Sequence, residues 1–169
     1  FVAIGLVLPS VFHGISGGLG GKALLPMHLP VLLCGFVCGW KYGLGVGLLL
    51  PILSSLLTGM PQYPTVVAMV FELGVYGLLT GLLFKRIKIS KSTILNALVV
   101  LLIAMVAGRA MSGVVNAILV GGNPGWFGAF ITTSFVTGLP GIILQIVLVP
   151  ILVGLLKSIG AIRTEPATA

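Results

Sequence analysis

Only two acidic residues occur in the chain, and one of them, Glu72, lies in the middle of the apolar stretch from Pro64 to Phe84. This stretch is long enough to cross the roughly 30 Å core of a lipid bilayer as a single helix. A carboxylate at that depth costs several kcal/mol unless it is partnered, protonated or directed into a wet cavity. Glu72 is therefore the first candidate for a group that pairs with another helix or with a ligand.

Two further polar side chains, Arg109 and Gln145, are predicted at a similar depth, each inside its own apolar segment. At about 1.5 Å of rise per residue, the three side chains lie within a few ångströms of one another along the membrane normal. Polar groups from three helices at one level would suit a pocket that opens toward the outer surface. The alternative is an internal ion pair with a hydrogen-bonding glutamine, which would serve helix packing alone.

The spacing i, i+3, i+4, i+7 puts Arg109, Ser112, Gly113 and Asn116 on one face of their helix. This polar face is hard to bury against lipid, so Asn116 is a candidate binding residue. The guanidinium of Arg109 would suit a carboxylate or phosphate on a ligand, because it forms bidentate hydrogen bonds. Alternatively, Arg109 only neutralises Glu72 and the ligand is a neutral ring. A weaker polar stripe on the other helix consists of Thr65, Met69, Glu72 and Tyr76.

Two histidines, His13 and His28, flank the glycine-rich loop from His13 to Lys22, near the presumed outer surface. They would cap a pocket, donate to a ligand or bind a metal such as haem iron. Two histidines without a nearby cysteine or carboxylate are a weak metal signal, so no metal and no cofactor are predicted. Trp126, in the turn from Gly121 to Gly128, is predicted at the membrane interface.

The motifs argue against an enzyme. The run Gly14-Ile15-Ser16-Gly17 matches the GxSG around the serine nucleophile of rhomboid-type intramembrane proteases. That chemistry needs a histidine base on a later helix, and no histidine follows His28. The GxxxxGK(S/T) phosphate loop is also missing from the sequence. Active transport would therefore need a partner that hydrolyses ATP.

Composition identifies the class of protein. The 169 residues are 58% hydrophobic and 7% charged, and the mean hydropathy is +1.27. A soluble domain of this size needs a far larger charged surface, so an integral membrane protein is predicted. The net charge of +7 does not indicate nucleic-acid binding, because the basic residues are spread singly or sit in one short loop. Cys34 and Cys38 are interpreted as buried packing residues.

The apolar segments predict an all-α bundle of six transmembrane helices forming one domain over residues 1–169. The chain begins inside an apolar run, which indicates a truncated N-terminus, and residues 158–169 form a polar cytoplasmic tail. The six segments are Phe1 to about Phe12, about Pro30 to Gly39, Gly43 to Thr58, Pro64 to Phe84, Thr93 to Val120 and about Ile131 to Leu156.

The distribution of basic residues predicts the orientation. With six spans, only Lys22 falls on the outer side. Such a bias is typical of cytoplasmic loops, so both termini are predicted in the cytoplasm. A five-span arrangement would separate the Lys85–Lys91 loop from Lys157, and the charge count disfavours it. The basic residues on the predicted cytoplasmic side are Lys41, Lys85, Arg86, Lys88, Lys91, Lys157 and Arg163.

Taken together, four stretches resemble the substrate-binding S components of energy-coupling factor (ECF) vitamin transporters. They are PMHLPVLLCGFVCGWKYGLGVGLLLPILSSLLTGMP, FELGVYGLLTGLLF, AGRAMSGVV and TGLPGIILQIVLVPILV. The resemblance implies six helices, cytoplasmic termini and a multi-pass location in a bacterial plasma membrane. It implies a vitamin-sized pocket near the outer face, built from the loop after helix one and from helices four to six. On this sequence those regions supply His13, His28, Glu72, Arg109, Asn116, Trp126 and Gln145.

The resemblance also implies partners, namely a transmembrane scaffold subunit and a pair of ATPases that drive toppling of the S component in the membrane. One departure concerns the AxxxA-type motif at which the scaffold docks, because Ala3 is followed four residues later by Val7. The leading hypothesis is a high-affinity binding and translocating subunit for a water-soluble vitamin or related micronutrient. Niacin, a pyridoxine-like or pyrimidine precursor, pantothenate and haem all stay open as ligands. The alternative is a non-transporting membrane scaffold whose Glu72–Arg109 pair is structural.

Overall fold

The computed structural model describes residues 1–16, 26–87 and 89–162, and within these ranges the chain is helical without strands. The prediction of an all-α protein is therefore confirmed. The helices are α1 (Val2–Ser16), α2 (His28–Cys38), α3 (Trp40–Thr58), α4 (Thr65–Arg86), α5 (Thr93–Val120), α6 (Trp126–Ile131) and α7 (Leu139–Ser158), with a π-helical turn (Thr132–Thr137) between α6 and α7.

Within the described ranges, the four helices α3, α4, α5 and α7 are long and apolar enough to cross a membrane. Helix α2 and the segment Trp126–Thr137 are apolar but shorter. The helices expose large apolar side chains on their outer faces. Leu56, Val106 and Ile118, for example, are 77%, 71% and 78% exposed. Such faces fit a lipid environment, where exposed hydrocarbon carries no penalty. The chain is a membrane protein, while the count of six spans and the side of the termini stay predictions.

Helix α4 is the centre of the bundle, because it packs against α2, α3 and α5. Its approach to α3 is close: a Cβ atom built on Gly77 would meet the backbone carbonyl of Gly43, and one on Gly47 would meet the backbone of Leu73. Small residues allow this backbone contact, as is typical of helices in membranes. Helix α7 packs against α2 and α5 on another side of the bundle. The central position of α4 is what buries Glu72 among neighbouring helices.

Some boundaries differ from the sequence prediction. Helices α2 and α3 meet at Gly39, whose φ of 90° is accessible to glycine at little cost, so α3 begins at Trp40, before the predicted start of the third segment at Gly43. The prediction of one continuous segment from Ile131 to Leu156 was wrong, because a break at Gly138 separates the π-helical turn from α7. Pro140 favours a new helix start here, because it lacks an N–H group and fits best in the first turn of a helix.

Other boundaries follow the sequence prediction more closely. The fifth predicted segment, Thr93 to Val120, is confirmed residue for residue by α5. Helix α1 continues to Ser16, beyond the predicted end near Phe12. The rest of the predicted glycine-rich loop, from residue 17 onward, lies outside the described residues, as does most of the predicted polar tail.

Candidate functional site

The carboxylate of Glu72 on α4 is contacted by side chains from two other helices. Arg109 Nη1 on α5 lies 3.1 Å from Glu72 Oε1, and His28 Nε2 on α2 lies 3.6 Å from the same oxygen. The hydroxyl of Tyr76 donates a hydrogen bond of 2.9 Å to this oxygen as well. We refer to His28, Glu72, Tyr76 and Arg109 as the Glu72 cluster.

Local helix geometry assembles the cluster. Tyr76 follows Glu72 by one helical turn, and residues four apart lie on the same helix face. The ring of His28 lies against the ring of Tyr76 with a centroid distance of 5.5 Å and a tilt of 57°. Gly108 of α5 leaves the space for the Tyr76 ring, since a Cβ atom built on Gly108 would collide with that ring. A small residue beside Arg109 thus allows α5 to bring its guanidinium to α4.

The cluster is almost completely shielded from solvent. The exposed fraction of the side chain is 2% for His28, 4% for Glu72 and 11% for Arg109. At this burial opposite charges attract strongly, but removing both from water is costly, and the loss of one partner leaves an uncompensated charge. Each buried charge in the cluster is therefore stable only while its oppositely charged partner stays in place.

Several buried side-chain nitrogen and oxygen atoms of α5 and α7 lack a hydrogen-bond partner. Among the described residues, Arg109 Nε and Nη2 and both amide atoms of Gln145 make no hydrogen bond. Gln145 is fully buried on α7, which packs against the helices that carry His28 and Arg109. Most buried polar atoms in proteins are hydrogen-bonded, so each exception needs an explanation.

The remaining predicted site residues lie elsewhere or are not described. Asn116 donates through Nδ2 to the carbonyl of Ser112 at 2.8 Å, which is a bond within α5, about 10 Å along the helix from Arg109. Trp126 begins α6 and makes an edge-on contact with Phe127 at a centroid distance of 5.7 Å. His13 belongs to α1, but its side chain lies outside the described residues.

The sequence prediction placed Glu72, Arg109 and His28 in one candidate site, and the structure brings these three side chains together. It left out Tyr76, which joins them through its hydroxyl. The signal for Tyr76 was its place four residues after Glu72 on the weaker polar stripe. As for metals, no group of three or more His, Cys, Asp or Glu side chains suited to a metal ion occurs among the described residues.

The substitution Gly108→Ala tests whether the cluster depends on this close packing. The new methyl group would collide with the Tyr76 ring, and overpacking of this kind costs about 1–3 kcal/mol. We expect a lower unfolding temperature in detergent. The control is Gly122→Ala, just beyond the end of α5, where an added Cβ atom meets nothing within 4 Å. Equal stability of G108A and wild type would contradict the described packing.

Comparison with known proteins identifies the family. A family model described as "ECF transporter, substrate-specific component" matches residues 1–153. The comparisons with curated proteins and with solved structures gave no match. The chain therefore belongs to the family of ECF transporter substrate-specific components, membrane proteins that bind a small-molecule substrate and act with an energy-coupling module.

Proposed function

We propose that the chain is the high-affinity binding and translocating subunit for a water-soluble vitamin or related micronutrient in a bacterial plasma membrane. A transmembrane scaffold subunit and two ATPase subunits of the energy-coupling module would supply the energy. Family membership supports the transporter role. The observation that carries the binding role is the buried Glu72 cluster, with Arg109 nitrogens that have no partner among the described residues.

The unpartnered atoms favour a binding site over a structural ion pair. A buried donor or acceptor without a hydrogen bond costs about 1–3 kcal/mol, and more when the group is charged. Arg109 and Gln145 both carry such atoms. If Arg109 and Gln145 served helix packing alone, the protein would be more stable with these atoms hydrogen-bonded or replaced by hydrocarbon. A substrate that accepts from Arg109 and bonds the amide of Gln145 would explain why they are present.

We further propose six spans with both termini in the cytoplasm. The start of α3 and the end of α4 are adjacent, because a Cβ atom on Gly81 would meet the backbone of Trp40. Lys157 at the end of α7 donates to Thr93 Oγ1 at the start of α5, at 3.0 Å. A short connection joins the end of α4 to the start of α5, so these four helix ends, with their basic residues, lie at the same end of the bundle. The positive charge there supports the proposal that this end faces the cytoplasm.

A structural role for the cluster is the second candidate. All three contacts described for Glu72 end on one carboxylate oxygen, Oε1. This arrangement would also suit a clasp that fixes α2, α4 and α5 to one another without any substrate. The two candidates differ in what happens to stability and to binding when a polar group is removed.

The substitution Gln145→Leu separates the two candidates. Leucine has a similar volume and removes two unpartnered amide atoms, so we expect a higher unfolding temperature in detergent without ligand. If the amide bonds the substrate, the variant should also retain less of the small molecule that co-purifies with the wild type. Thermal unfolding and mass spectrometry of released small molecules measure the two effects. Gln62→Leu, at an exposed position between α3 and α4, is the control.

The stability of Q145L and its retention of the small molecule together decide whether Gln145 contacts the substrate. Higher stability together with weaker retention supports a binding site at Gln145. Unchanged retention of the small molecule in Q145L would exclude Gln145 from the substrate site.

A further inference from the structure

The guanidinium of Arg109 has one engaged nitrogen and two unengaged ones. Nη1 lies 3.1 Å from Glu72 Oε1, while Nε and Nη2 are buried and lack a partner among the described residues. In a planar guanidinium the Nε–H and one Nη2–H point in parallel along the same edge. This edge is the fork that holds the two oxygens of a carboxylate side by side.

Glu72 does not fill this fork. Its described contacts, including the one from Arg109, end on Oε1, and the atom of Arg109 that reaches it is Nη1 alone. Resting on the proposed binding function, we infer that the substrate carries a single carboxylate, which Arg109 binds through Nε and Nη2.

Charge balance favours a carboxylate over a phosphate. Glu72 and Arg109 neutralise each other, so a bound carboxylate adds one negative charge. A phosphate group brings about −1.5 to −2 charges, so it would leave more uncompensated charge in the same buried site. A neutral carbonyl oxygen can accept from both N–H groups through its two lone pairs, but a carboxylate offers one oxygen to each and makes the stronger, charge-assisted bonds.

The other unpartnered group supports a substrate with further polar atoms. The amide of Gln145 has one donor and one acceptor side, both buried. A carboxylate is acceptor-only, so it satisfies the donor alone. A substrate that reaches both groups would have to offer an N–H or O–H to the acceptor oxygen of Gln145. The substrate class inferred from Arg109 is a small carboxylic acid, and a contact with Gln145 would add a hydrogen-bond donor to it.

The test uses the small-molecule extract released from the purified wild-type chain. One half of the extract is treated with a reagent that converts carboxylic acids to methyl esters, and the other half is left untreated. Each half is added to ligand-free protein, and the unfolding temperature is measured. We expect the untreated half to raise the unfolding temperature and the methylated half to have lost this effect.

The outcomes separate this inference from the proposed function. Equal stabilisation by both halves would overturn the carboxylate and leave the binding function intact. An untreated extract that stabilises nothing would overturn the binding function and the inference together. Mass spectrometry of the untreated half should show one ligand that gains the mass of a single CH₂ group on methylation.

The variant Arg109→Lys tests the fork itself. Lysine keeps the positive charge beside Glu72 but cannot present two parallel N–H groups. We expect R109K to fold like the wild type and to bind the untreated extract about 10–100-fold more weakly, the effect of losing one hydrogen bond to a charged group. Arg86→Lys, at the exposed end of α4, is the matched control. Wild-type affinity in R109K would overturn the bidentate contact.

Discussion

Replacing Arg109 by methionine is expected to lower the free energy of unfolding by about 3–5 kcal/mol, because the carboxylate of Glu72 would remain buried without its cationic partner. Glu72→Gln should have a similar effect, since it leaves the guanidinium without a counter-ion. R109M should also bind the substrate about 100-fold more weakly or worse, as expected for lost hydrogen bonds to a charged group. Thermal unfolding in detergent and equilibrium binding of the co-purifying small molecule measure the two effects.

The paired variant Glu72→Gln with Arg109→Met distinguishes a role of the ion pair in substrate binding from a role in helix packing alone. Removing both charges often leaves stability unchanged or improved, because no uncompensated charge remains in the interior. We therefore expect the paired variant to recover most of the lost stability, a coupling that only neighbouring residues show. Binding should stay lost, because the guanidinium that holds the substrate is absent. Recovery of binding together with stability would mean that the pair is only a clasp between α4 and α5.

The second large effect is expected for Gly77→Val, at the contact between α3 and α4. A Cβ atom at this position meets the backbone carbonyl of Gly43, and a backbone cannot rotate out of the way as a side chain can. Overpacking usually costs about 1–3 kcal/mol, and this substitution should exceed that range because two helices must separate. We expect little monodisperse protein in size-exclusion chromatography after extraction in detergent.

The control for the glycine contact is Gly45→Ala, on α3. A Cβ atom on Gly45 meets nothing within 4 Å, and alanine is the better helix former by about 1 kcal/mol. G45A should therefore be extracted in wild-type yield with equal or higher thermal stability. A well-folded G77V would contradict the close contact of α3 and α4 that supports α4 at the centre of the bundle.

Part of the site was predictable from sequence because charged residues are rare in apolar segments. Glu72 and Arg109 could be matched by depth alone, and their ion pair is present at 3.1 Å. Helix α5 was also predicted residue for residue, because a long, mainly apolar segment without proline, between a basic loop and a glycine-rich turn, leaves few alternatives. Gln145 was predicted at the same level on a different helix, and it is fully buried.

The remaining features depend on packing that no single segment specifies. The hydrogen bond from Tyr76 follows from its spacing after Glu72, but its choice of partner depends on the space that Gly108 leaves on another helix. The contact of His28 with Glu72 depends on how α2 packs against α4. The break at Gly138 was missed because the apolar run continues through it, and only Pro140 signals the new helix start.

The binding role of the Glu72 cluster is tested most directly by mass spectrometry of small molecules released from purified wild-type chain and from the paired variant E72Q/R109M. The wild type should carry one vitamin-sized molecule at close to one per chain. The paired variant, purified in the same way and shown to be folded, should carry none of it. Equal occupancy in the two proteins, or no small molecule enriched in the wild type, would contradict substrate binding at the cluster.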